Sequence, residues 1–182
     1  MFDFFYRYLL NKKIKRTLNA SYRQREFLNL QTVKTVLILF ETKDYNAVCD
    51  LSSMLQQAGK HIITVAYSKK SEEIKHKDKA NYIITEKDIN IDSSKSLSNI
   101  KNNLSSITFD LAVDMTVKNN LLMQYIMVSS NALLKVGFHE CEHPIYDMLI
   151  LSQSGENSEI HELGKQMIYY LSTIGQYTSQ NN

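Results

Sequence analysis

A chain of 182 residues, 43% hydrophobic and 22% charged, is long and apolar enough to bury one sizeable core, which excludes disorder along its whole length. Its two cysteines, Cys49 and Cys141, exclude a disulfide framework and a four-cysteine zinc site, and they suit a reducing, cytoplasmic compartment. The net charge of +2 hides an asymmetry: residues 1–25 carry seven basic side chains against Asp3 alone, a net of +6, so the remaining 157 residues carry −4.

Residues 1–19 space Phe2, Tyr6, Leu10, Ile14 and Leu18 four apart, with Phe5 and Leu9 alongside, and this predicts an amphipathic helix. Arg7, Lys12, Lys13, Lys15 and Arg16 fall mostly on its other side and are the candidates for contact with an anionic surface. Asp3 and Arg7 interrupt any secretory core, and no run of 18 apolar residues exists to span a bilayer, so the chain reads as cytoplasmic and at most peripheral at the inner membrane face. Such a helix packs its stripe on the domain, meets an anionic membrane, or meets a protein partner. Nucleic acid is not indicated, because no DNA-binding motif accompanies it. Residues 20–31 form a joint.

Over 32–175 the pattern changes to one α/β domain. VKTVLILF (33–40) predicts a buried strand, followed by a helix that carries Val48, Leu51, Leu55 and Ala58 on one face and closes at Gly59. HIITVAY (61–67) is the next strand, which completes a βαβ unit with parallel pairing. Residues 68–79 are too charged to be buried. NYIIT (81–85) is a third strand, and 86–106 predicts no definite element. FDLAVDM (109–115) is a strand, 119–132 a helix with Leu122, Tyr125, Ile126 and Ser129 on its buried side, LKVGF (134–138) a strand and IYDMLIL (145–151) a sixth. A closing helix over 158–174 aligns Ile160, Leu163, Met167, Leu171 and Ile174; 176–182 is a polar tail. The alternation predicts a three-layer sandwich around a mostly parallel sheet of five to six strands, Rossmann-like or flavodoxin-like.

HECEH (139–143) satisfies both H-E-x-x-H and H-x-x-E-H, which makes His139 and His143 candidate zinc ligands. A zincin needs both imidazoles on one face of an intact helix, and Pro144 would clash with the carbonyl of Glu140 if a helix continued. Strand-like flanks place the motif in a connection, so no metal is expected. Glu140 and Glu142 oppose thiolate formation at Cys141. The five glycines are too far apart for G-x-G-x-x-G, a Walker loop or G-x-S-x-G, and no cofactor is expected.

Ligands of open parallel sheets gather at the carboxyl ends of strands, which here offer Glu41, Asp44, Ser68, Asp114, Thr116 and His139 as candidate ligand-binding residues. Asp114, an acid closing an apolar strand, either anchors a ligand or caps the next helix. Asp110, Leu111, Val113, Asp114, Ala132, Val136, Gly137 and Phe138 give residues 109–138 a resemblance to lipopolysaccharide heptosyltransferases, with their "YDLVIDL" strand and "RIGF" segment. That resemblance implies a sugar-nucleotide transferase-like domain needing a partner to complete it, since those enzymes use two Rossmann-like domains, and it transfers no catalytic residue. The whole chain resembles a family of bacterial proteins of about this length with a basic N-terminal helix, a VLILF-like strand, a "VSSNALLKVGF" segment and a "YDMLI" strand; it implies a single α/β domain without an assigned activity. The sequence therefore points to a non-catalytic binding or interaction module.

Overall fold

The computed structural model describes residues 2–20, 22–69, 80–85, 94–151 and 160–174. Of the charged segment expected over 68–79, Ser68 is instead buried at the end of a strand, while 70–79 and the polar tail at 176–182 lie outside the described residues. Helix α1 (Phe2–Ala20) leads into the joint. Then come β1 (Thr35–Glu41), a 3₁₀ turn (Thr42–Asp44), α2 (Tyr45–Gln57), β2 (His61–Ser68), β3 (Tyr82–Thr85), α3 (Ser94–Ser105), β4 (Thr108–Asp114), α4 (Leu121–Ser129), β5 (Asn131–Gly137), β6 (Met148–Leu149) and α5 (Ile160–Thr173).

The six strands pair in the order β3-β2-β1-β4-β5-β6, and every pair is parallel. This is the doubly wound order, with its reversal between β1 and β4. Side chains alternate between two cores. Val36, Ile38, Phe40, Leu111 and Val113 point to the layer of α2 and α5. Leu37, Leu39 and Ala112 point to the layer of α1, α3 and α4, whose cluster Phe109 at the start of β4 also joins. Both faces of the sheet are therefore covered, which is why its strands read as near-continuous apolar runs.

Local chemistry sets the ends of the elements. Gly59, at φ +77°, closes α2: its N–H donates to Gln56 O and that of Lys60 to Leu55 O, the paired bonds of a Schellman motif. Asn120 begins α4, its Oδ1 accepting from the N–H groups of Leu122 and Met123, so the cap considered for Asp114 belongs to Asn120 instead.

Three elements differ from the sequence reading. Helix α3 forms within the stretch given no element; Leu97, Ile100 and Leu104 make its apolar stripe, diluted in sequence by Ser and Asn. Helix α4 has no polar side at all, since Leu122 through Val128 are buried between the sheet and α1. The sixth strand contracts to Met148–Leu149, because the joint already covers the edge of β5 upstream. There Glu26 N–H donates to Leu133 O, and Arg23 donates to the carbonyls of Ala132 and Leu133 and to Asp147. The far end of the joint is tied to α5, with Asn29 donating to Ser172 O and Ile174 O.

Candidate functional site

The carboxyl edge of the sheet gathers three of the six predicted residues into one buried network. Asp114, fully buried at the end of β4, accepts on Oδ1 from the Thr116 N–H (3.0 Å) and hydroxyl (2.7 Å), and on Oδ2 from the Tyr146 hydroxyl (2.7 Å). Burial raises its pKa, opposed by His139 and by the donors Tyr146 and Thr116. His139 Nδ1 lies 2.9 Å from Thr116 O, which can only accept, so Nδ1 carries hydrogen. Its Nε2 meets Gln124 Nε2 at 3.2 Å, and the same amide donates to Asn119. Every group in this network faces a partner inside the protein, which makes it a rigid floor under the strand ends.

Tyr146 holds that floor together, and Gly137 makes room for it. A Cβ at Gly137 would sit 2.6 Å from the Tyr146 ring, so only glycine allows the ring to cross β5 and reach Asp114. Tyr146, Gln124 and Gly137 are site residues beyond those the strand ends predict. Their signals were present in the sequence: a glutamine inside the apolar run of α4, and a glycine ending a buried strand.

Glu41, Asp44 and Ser68 stand apart. Glu41 Oε2 pairs with Lys43 at 2.6 Å. Asp44 precedes α2 without capping it, and its Oδ2 is buried with no hydrogen-bond partner. Burial pushes its pKa up to about 6, with Lys43 opposing the rise and Glu41 adding to it. Ser68 is buried at the end of β2, in register with Thr85.

HECEH is an irregular connection between β5 and β6. Both ring nitrogens of His139 face protein atoms, as above, and His143 Nε2 is buried without a partner. Among the described residues no three His, Cys, Asp or Glu side chains are placed to hold a metal ion. The Cys141 thiol donates to His143 O at 2.9 Å, and burial raises its pKa, which disfavours a nucleophilic thiolate.

The basic residues of α1 make a second region. Leu10 and Ile14 are buried against the α4 layer, whereas Arg7, Lys12, Lys13, Lys15 and Arg16 are all exposed. Lys13 and Arg16 line a groove of about 420 Å³ together with Thr17, Ala20, Lys101 of α3 and Tyr125 of α4. The ammonium groups of Lys13 and Lys101 lie 5.9 and 5.7 Å from the centre of the Tyr125 ring. No carboxylate occurs among the described residues that line it. No described helix is long and apolar enough to cross a membrane.

Residues 7–174 match the model of DUF6913, a family of unknown function, so the match begins inside α1 and ends with α5. No curated protein and no solved structure matches the chain. The likeness of 109–138 to heptosyltransferases is therefore not shown.

Proposed function

We propose, for a chain that belongs to DUF6913, a family of unknown function, that it is a non-catalytic binding module whose ligand presents phosphate to the groove between α1, α3 and α4. The observation that carries this reading is the convergence of Lys13, Arg16 and Lys101 on one concave surface with no acid among its described lining residues. Three cations so placed repel one another when the groove is empty, and a phosphate group relieves that repulsion while accepting their N–H bonds. Tyr125 keeps the two lysines in place through cation–π attraction of about 0.5–1 kcal/mol each at an exposed site.

The packing of α1 supports a surface role over an inserted one. Leu10 and Ile14 are already buried on the domain, so this stretch of the helix reaches a membrane through its charges, with Arg7, Lys12 and Lys15 extending the basic face beyond the groove. The phosphate is that of a lipid headgroup or of a soluble compound, and two measurements separate them. Vesicles of phosphatidylcholine with phosphatidylglycerol test the first by co-sedimentation; calorimetric titration with inorganic pyrophosphate tests the second. The intact chain is expected to bind at least one of them. Replacing Lys13, Arg16 and Lys101 together by Glu should abolish that binding, and Lys165→Glu on α5 should not. Binding of neither probe defeats the proposal, as does binding that survives the triple replacement. A saturable thermal shift with UDP-glucose that ignores the triple replacement would move the site to the crevice between the ends of β1 and β4 and favour the transferase-like reading.

A further inference from the structure

Lys135 is a lysine in the interior of a buried strand, only 3% exposed, and the phosphate-binding reading does not use it. Its Nζ donates to the carbonyl of Met127 at 2.6 Å and to that of Val128 at 3.4 Å, in the last turn of α4. It also lines a cavity of about 250 Å³ with Leu18, Arg23, Arg25, Val128 and Ile145. Arg23 is committed to the carbonyls of Ala132 and Leu133 and to Asp147. Arg25 is 66% exposed at its side chain and only 3.6 Å from Asp147, so it can turn toward an anion in the cavity.

The geometry points to a reactive-amine site: Lys135 forms an imine with a small carbonyl compound that carries a carboxylate, and Arg25 grips that carboxylate. An uncharged amine has two N–H bonds and one lone pair. Two backbone carbonyls stand ready for the N–H bonds, which leaves the lone pair for a carbonyl carbon in the cavity. Burial, then the neighbouring Arg23, push the ammonium down to about 7 against the pull of Asp147, with Arg25 adding to the fall. A desolvated lysine beside another cation is the usual means of keeping such an amine nucleophilic at neutral pH.

The step balances without an outside oxidant or reductant. The lone pair forms a C–N bond as the C=O π bond breaks, and one N–H proton passes to the oxygen, giving a carbinolamine. The C–O bond then breaks as the nitrogen lone pair forms C=N, and the hydroxyl leaves as water with the second N–H proton.

The test uses the intact chain at pH 7 with glyoxylate as the carbonyl compound and cyanoborohydride to trap any imine, followed by peptide mapping. Lys135 should acquire the carboxymethyl group on the order of tenfold or more faster than any other lysine, because far more of its amine is unprotonated. Labelling spread over surface lysines with Lys135 untouched overturns the site. Arg25→Ala should slow glyoxylate labelling of Lys135 several-fold while leaving labelling by formaldehyde, which has no carboxylate, unchanged. An equal effect on both probes, or on neither, overturns the role of Arg25.

Discussion

Gly137 and Tyr146 act as one device, because a missing side chain on β5 makes space for a ring whose hydroxyl satisfies a buried carboxylate. Gly137→Ala forces the ring aside and should destabilise the protein by about 2–4 kcal/mol, combining overpacking with the lost bond. Tyr146→Phe leaves Asp114 Oδ2 without that donor and should cost about 1–3 kcal/mol. The two changes break the same bond, so urea denaturation of the double variant should show less than the sum. An additive result would mean that the ring and the glycine act separately.

At the scale of elements, α1 is the main helical cover of α4. Helix α4 is buried from Leu122 through Val128, and Leu10 and Ile14 of α1 close over it beside Ile100 and Leu104 of α3. Ile14→Ala should therefore lower stability by about 2–4 kcal/mol, whereas Lys12→Ala and Lys15→Ala, on the exposed side, should each stay within about 0.5 kcal/mol. A near-zero loss for Ile14→Ala in thermal or chemical unfolding would show that the helix is detachable. The joint works in the same direction, since its bonds to β5 cover a stretch of sheet edge that would otherwise be open to pairing with another chain, and its bonds to α5 tie its far end down.

For the molecule as a whole, Asp44 and Lys135 shape the dependence of stability on pH, with Asp114, raised by burial, acting in the same sense as Asp44. Asp44 keeps its proton to about pH 6 when folded and to its ordinary value of 3.8 when unfolded, so its stabilisation is complete below 3.8 and is lost as pH rises through 6. Lys135 releases its proton near pH 7 when folded and near 10.5 when unfolded, so stability climbs as pH rises above 7. Denaturation midpoints should therefore pass through a minimum between pH 6 and 7. From there to pH 9 they should recover by about 2 kcal/mol, one proton over two pH units. Lys135→Met should remove the recovery, and Asp44→Asn should lessen the preceding fall, to which Asp114 also contributes. Above pH 9 the raised pKa values of Cys141 and Tyr146 act in the opposite sense.

The amino-acid sequence alone determined the α/β class, the parallel sheet and the helical N-terminus, because buried strands and amphipathic helices leave periodic marks within a dozen residues. The same local logic kept HECEH out of a helix, through the proline after it. It could not reveal α3, whose three apolar residues lie in a polar background and acquire meaning only against Phe109 and the sheet. Nor could it bring Lys101 to Lys13, Tyr146 to Asp114 or Arg25 to the cavity of Lys135, since each pairing joins residues more than 30 positions apart. Those meetings follow from strand order and from which face each helix covers, and only the folded chain decides them.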